Sequence, residues 1–383
     1  MNKGEFSALS IAGLLVAHCA GMVDLVVLPV WIGALINKFG FSAQEAGGLV
    51  TGFLLGAVVA SATIAPLFNR LPRRLVAGSG FIVSAVAFAI CARGPGAVTL
   101  AALHVVAGVA TGIGLSFVHG AFGRSKNPHR LYAISGIALG AFAAVVLGGL
   151  PVSVSAYGGQ VVFLVIAAAM GIAGLAIYMA YPADARMTKQ HPHHVGKFPP
   201  ILWRAIFGIC LMTFNNAMIF SFLDVIGRER GFADGQLAIV FVVMGFLNFL
   251  VIAPLAAVLE KRIRAENVMV AGPLAQLAIG GLITNATGFP VWAGAAVLYT
   301  GVLILTHTFA FGFLSKEDPS GRAVAGTPAM LMVGAAMGPF LGGVLGQAFG
   351  FEVLAIAAAV IGISASLTFL SLRRRTPVPA LAE

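Results

Sequence analysis

The sequence reads as an all-α membrane protein, with twelve transmembrane helices in two pseudo-symmetric six-helix bundles. Three observations carry that reading. Of the 383 residues, 59% are hydrophobic and only 9% charged, against about 25% charged in an ordinary soluble domain. Apolar runs long enough to cross a hydrocarbon layer of about 30 Å, which takes about 20 helical residues, recur along the whole chain. The second half also repeats features of the first at an offset close to 190 residues, as duplicated membrane folds do.

Taken in order, the expected spans of the first half are 8–36, 45–68, 74–92, 96–120, 131–153 and 159–181. Those of the second half are 201–226, 235–259, 267–285, 290–314, 322–347 and 350–372. The first run is a retained helix rather than a signal peptide: it lacks a basic start, is too long, and carries Asp24. Barrel strands would show alternating segments of about 10 residues, and these runs are longer and uniformly apolar, so helices are left to satisfy the backbone in lipid. The 48 glycines suit helices whose backbones approach closely.

Between the sixth and seventh spans lies the longest polar break, from Pro182 to Pro200. It divides the chain into a first bundle at 1–181, a linker at 182–200 and a second bundle at 201–383. The repeat pairs Ala65, Pro66 and Leu67 with Ala253, Pro254 and Leu255, and Gly136, Gly140 and Phe142 with Gly334, Gly338 and Phe340. It also sets Asn215 opposite Asp24 and Cys210 opposite Cys19. Of the 23 lysines and arginines, nineteen fall on one side of the expected bilayer, and only Lys38, Arg93, Arg228 and Arg230 on the other. The positive-inside rule makes the richer side cytoplasmic, with both termini there. That distribution, with attraction to anionic lipid, accounts for the net charge of +10 without nucleic acid.

The loop APLFNRLPRR, Ala65 to Arg74, resembles the signature loop of the major facilitator superfamily, and the repeat extends the likeness over nearly the whole chain. The resemblance implies a gating role for Asn69, Arg70, Arg73 and Arg74. Two positions depart from the pattern: Asn69 stands where the family has aspartate, and Pro72 where it has glycine. A charge-based lock there loses its acid, leaving Asn69 to accept a hydrogen bond from a helix N-terminus. GAAMGPFLGG, Gly334 to Gly343, is similar to a motif that proton-driven antiporters of the family carry in the fifth helix, but here it lies in the eleventh. Physically it is a packing hinge of small residues and a proline.

An ionisable residue in mid-span is expensive and marks function. Asp24 is the one that clearly qualifies, and Asp224, beside Arg228 and Arg230, reads as solvated at a helix end. A carboxyl that alternates between dry and wet surroundings takes up a proton in one and releases it in the other. Asp24 is therefore the candidate proton-coupling group. The resemblance implies a cavity lined by the first, fourth, seventh and tenth helices. On those helices His18, Trp31, His104, Thr111, His119, Asn215, Asn216 and His307 are the candidate solute contacts.

No lysine or arginine lies in mid-span, which disfavours strongly anionic cargo needing a fixed cation. A neutral, weakly acidic or cationic organic solute fits. No GxxxxGK[ST] loop is present, so ATP is not the expected energy source. The histidines from His191 to His194 lack a thiolate or acid at ligand spacing and read as loop; no metal or cofactor is expected. Cys19, Cys91 and Cys210 read as small hydrophobes, and nothing resembles a nucleophile with its base. The expectation is a monomeric, proton-coupled secondary transporter in an inner membrane, working by alternating access with a lean to efflux. A proton symporter for a vitamin or aromatic compound, and a non-transporting sensor, are the alternatives.

Overall fold

The computed structural model describes residues 6–64, 67–183, 198–259, 262–318, 323 and 326–373. Within them are twelve helices long and apolar enough to cross a membrane. The first six are α1 (Ala8–Asn37), α2 (Ala43–Ile64), α3 (Arg73–Cys91), α4 (Ala97–Gly123), α5 (Arg130–Tyr157) and α6 (Gln160–Ala180). The second six are α7 (Pro200–Glu229), α8 (Asp234–Ala256), α9 (Ala265–Asn285), α10 (Phe289–Glu317), α11 (Ala329–Phe349) and α12 (Phe351–Leu370). Residues 184–197, which hold most of the expected linker and His191 to His194, lie outside the described residues, as do Ala65 and Pro66.

Local chemistry sets several boundaries. Ser42 and Glu45 form a capping box, with the Ser42 N–H donating to Glu45 Oε2 at 2.9 Å and the Glu45 N–H to Ser42 Oγ at 3.3 Å. This starts α2 at Ala43, two residues before the apolar run suggested. The turns ending α1 and α7 place Gly40 and Gly231 at φ 74° and 80°, and those ending α5 and α11 place Gly158 and Gly350 at φ 91° and 82°. Glycine adopts that left-handed region without a Cβ penalty. The two pairs lie 191 and 192 residues apart, so the backbone repeats at the offset of the sequence.

Four of these helices are broken. Within α1 the break falls at Met22, between Ala8–Gly21 and Val23–Asn37; Pro29 in the second piece has no N–H for the Leu25 carbonyl. In α7 the helix interrupts after Phe220, where the Ser221 hydroxyl bonds back to the Ala217 carbonyl, a competition that bends helices. A π-turn at Asn248–Ile252 interrupts α8 just before Pro254. α11 breaks at Met337 ahead of Pro339. There Thr51 of α2 stitches the gap: its hydroxyl donates to the Ala336 carbonyl at 2.7 Å and accepts from the Phe340 N–H at 3.2 Å.

One end of the bundle gathers Arg70, Arg73, Arg74, Arg124, Arg204, Arg262, Arg264 and Lys316, and is called the basic end below. The two halves meet away from it. The Gln44 N–H donates to Gln347 Oε1 at 3.0 Å. Gly47 of α2 lies against the Pro339 carbonyl, and Gly343 of α11 against that of Ala43. Gly245 of α8 packs on Ala144 of α5, and Ser155 Oγ donates to Asp234 Oδ2 at 3.1 Å. At mid-depth the hinge residue Met22 packs with Ala57, Leu115 and Met332. Thr51→Val removes both bonds that bridge α11 and leaves the Phe340 N–H unpaired. It is expected to lower stability by about 1–3 kcal/mol, read as an earlier thermal unfolding midpoint in detergent.

Candidate functional site

Asp24 is the second residue of the second piece of α1 and is 1% exposed. Among the described residues no side chain is hydrogen-bonded to either carboxylate oxygen. The nearest compensation is the N–H groups of Asp24 and Leu25, which the break leaves without helical partners and facing the carboxylate. The group thus lies at the hinge of α1, next to the Met22 cluster that touches the second half. Unpaired buried carboxylates are rare because desolvation is uncompensated, and a hinge is where such a cost is relieved by movement.

The eight expected solute contacts fall into separate environments. His18 Nδ1 and His119 Nε2 are 3.1 Å apart, joining α1 to α4 toward the basic end. Phe122 flanks both rings, and Tyr132 of α5 donates to the His119 carbonyl at 3.3 Å. Trp31 stacks on His104 with ring centroids 5.4 Å apart, while Phe53 and Phe88 meet the indole edge-on at 5.5 Å. Nδ1–H of His104 donates to the Leu100 carbonyl at 2.8 Å, which leaves Nε2 unpartnered, as is Trp31 Nε1. Thr111 donates to Ser84 Oγ at 2.9 Å.

Trp31, His104 and Thr111, expected on a cavity lining, are therefore packed inside the first half in this conformation. Aromatic packing between α1, α2, α3 and α4 encloses Trp31 and His104, while Thr111 is buried on its bond to Ser84 of α3. Trp31→Ala is expected to cost about 3–5 kcal/mol, measured as loss of thermal stability in detergent.

In the second half, Asn215 is fully buried with neither amide atom bonded, and its Nδ2 approaches Gly362 of α12, so it points into the packing of its own half. Nδ2 of Asn216 is also unpaired. His307 lies parallel to Phe311, centroids 5.3 Å apart, with Nε2 free of partners. The glycine pairs that fix the repeat carry Asp24 onto Asn215 or Asn216, so each half sets a polar group at this depth.

Two groups escaped the sequence. Gln276 of α9 is fully buried with both amide atoms unpaired. Asp224, read as solvated, is 4% exposed and ion-paired to Arg228 at 2.7 Å. The signal was the i, i+4 spacing of acid and base.

In the expected gating loop, Asn69 does not cap a helix: its Oδ1 accepts from Arg73 Nη2 at 3.2 Å, while Arg73 Nε donates to the Phe68 carbonyl at 3.0 Å. Arg73 and Arg124 both lie over the Phe68 ring, at 4.7 and 3.9 Å from its centroid. Burial, followed by the Arg73 charge, lowers the pKa of Arg124. The aromatic face holds two cations together that would otherwise repel. Arg70 and Arg74 are exposed.

The model of the Major Facilitator Superfamily matches residues 13–319. Among solved structures, a bacterial homologue of the human lysosomal transporter Spinster, inward-facing and occupied, aligns at a TM-score of 0.73 and 15% identity, over 96% of this chain and 98% of that one. The nucleoside transporter NupG aligns at 0.72 and 15% identity, over 97% of this chain and 100% of that one. No curated protein matches the chain in sequence.

Proposed function

We propose, on the premise that this chain belongs to the Major Facilitator Superfamily and is a secondary transporter, that it exchanges protons for a small organic solute. Asp24 is the coupling group, and the observation that carries this is its burial at the break of α1 with no side-chain partner among the described residues. The halves 1–181 and 201–383 rock about the 182–200 linker in alternating access, which closes one end as the other opens. The described contacts between the halves lie at mid-depth and toward the end opposite the basic one. With the basic end and both termini cytoplasmic, that is a carrier shut toward the outside of an inner membrane. It works as a monomer whose outer helices face lipid.

Asn216 and His307, each with an unpaired side-chain nitrogen among the described residues, are the best-supported solute contacts, with His119 beside His18 a third. The solute is neutral, weakly acidic or cationic, because the one cation inside a described span's outer turn, Arg228, is already neutralised by Asp224 and Asp234. Efflux by antiport is the preferred direction.

Proteoliposomes with an imposed pH gradient test this against a panel of radiolabelled solutes. Antiport makes acid-inside vesicles accumulate solute. Accumulation by alkaline-inside vesicles identifies a symporter, and absence of flux across the panel identifies a sensor.

A further inference from the structure

The end of the molecule opposite the basic one holds a second buried acid that proton coupling through Asp24 does not use. Asp224 follows its helix break as Asp24 follows its own: each is the second residue after a break, and the preceding cap residues, Met22 and Phe222, share a backbone, φ −107° and ψ 16° against φ −105° and ψ 12°. Their surroundings differ. Asp24 has no side-chain partner among the described residues, whereas Asp224 receives Arg228 through two bonds, Nε to Oδ2 at 2.7 Å and Nη2 to Oδ1 at 3.3 Å.

The arrangement runs across both halves. Nη1 of Arg228 reaches Asp234 at the start of α8, and Asp234 accepts from Ser155 of α5 at 3.1 Å. On the other flank the Asp224 carboxylate occupies the space that a side chain on Gly33 of α1 would take. Lys38, just past α1, adds a positive field at both carboxylates. Two helices of the first half thus bracket an acid–base–acid chain from two helices of the second.

We propose that Asp224, Arg228, Asp234 and Ser155 form an ionic latch that holds this end shut, with Asp224 as the positioning residue seated on Gly33. The inference rests on the reading that the halves part at this end during the cycle. Parting leaves the Asp224–Arg228 pair within α7 but removes Gly33 from one side and Ser155 from the other. The pair then passes from a shielded site, where charges attract strongly, into water, where they attract weakly. Shutting the end is therefore what makes the pair strong.

Removal of one partner from a buried pair leaves an uncompensated charge that seeks water. Arg228→Gln strands Asp224 beneath α1 and has the largest expected effect. Asp224→Asn leaves Arg228 with Asp234, a smaller effect, and Ser155→Ala a smaller one still.

The test is pulsed electron–electron resonance between spin labels at Gln44 and Gln347, which are exposed on opposite halves at this rim. Folded, monodisperse protein of each variant is used, with a second label pair at Arg70 and Arg262 reporting on the basic end. The latch predicts that Arg228→Gln lowers the short-distance population at the rim by about fivefold or more, graded through Asp224→Asn to Ser155→Ala. The basic-end pair shortens in step. Wild-type distributions in all three variants overturn the latch. Because no solute or proton gradient enters the measurement, that result leaves the role of Asp24 standing, and failure of Asp24 leaves the latch standing.

Discussion

Asp24→Asn reduces gradient-driven solute accumulation to the level of protein-free liposomes while exchange of labelled for unlabelled solute across the same membranes persists. The amide keeps the size and polarity of the carboxyl but cannot release a proton, so the hinge of α1 is left permanently in its neutral form. Exchange needs only that the loaded carrier reorient. Net accumulation against a pH gradient requires the proton to be taken up on one side and lost on the other, since a ligand shifts an equilibrium only through its differential affinity for the two states. Loss of both activities together identifies Asp24 as a residue needed for packing or solute binding. Retention of accumulation removes it from the coupling path.

Gly47→Val holds the end away from the basic one open. The Cβ of any larger residue at Gly47 would overlap the Pro339 carbonyl, a backbone atom that cannot rotate away. The reciprocal contact of Gly343 with the Ala43 carbonyl blocks relief by sliding. Overpacking of about 1–3 kcal/mol falls on the shut state alone, because the two halves do not touch there once parted. It moves the equilibrium about 5–150-fold toward the open state. The labels at Gln44 and Gln347 move apart, and transport falls because the cycle stalls. A variant that transports as wild type and keeps the short label distance shows that this contact does not gate.

How much of this could be read from the residues follows from range. The twelve spans were legible because crossing lipid imposes length and apolarity on each helix separately, and the repeat because it is printed twice in the chain. Start and stop chemistry was partly legible: the Ser42 and Glu45 pair shifts the start of α2 within the sequence itself. The break in α11 traces to Pro339, but that of α7 traces to a serine folding back on its own helix, which composition does not mark.

The site was less legible. The contact of His18 with His119 joins residues 101 apart in sequence. Burial of Asp224 depends on a glycine of α1 that gives it room. Asn69 was expected to act on a helix end and instead serves Arg73 one turn away. In each case a polar side chain was recognisable, and what the sequence withheld was the partner brought by another helix.

Proton coupling in this carrier depends on Asp24 carrying the transported proton. Infrared difference spectroscopy between acidic and alkaline pH, on the wild type and on Asp24→Asn in the same lipid, tests it without knowledge of the solute. The expected result is a carboxylic-acid carbonyl band that titrates in the wild type and is missing from the variant. Identical difference spectra from the two proteins would contradict it.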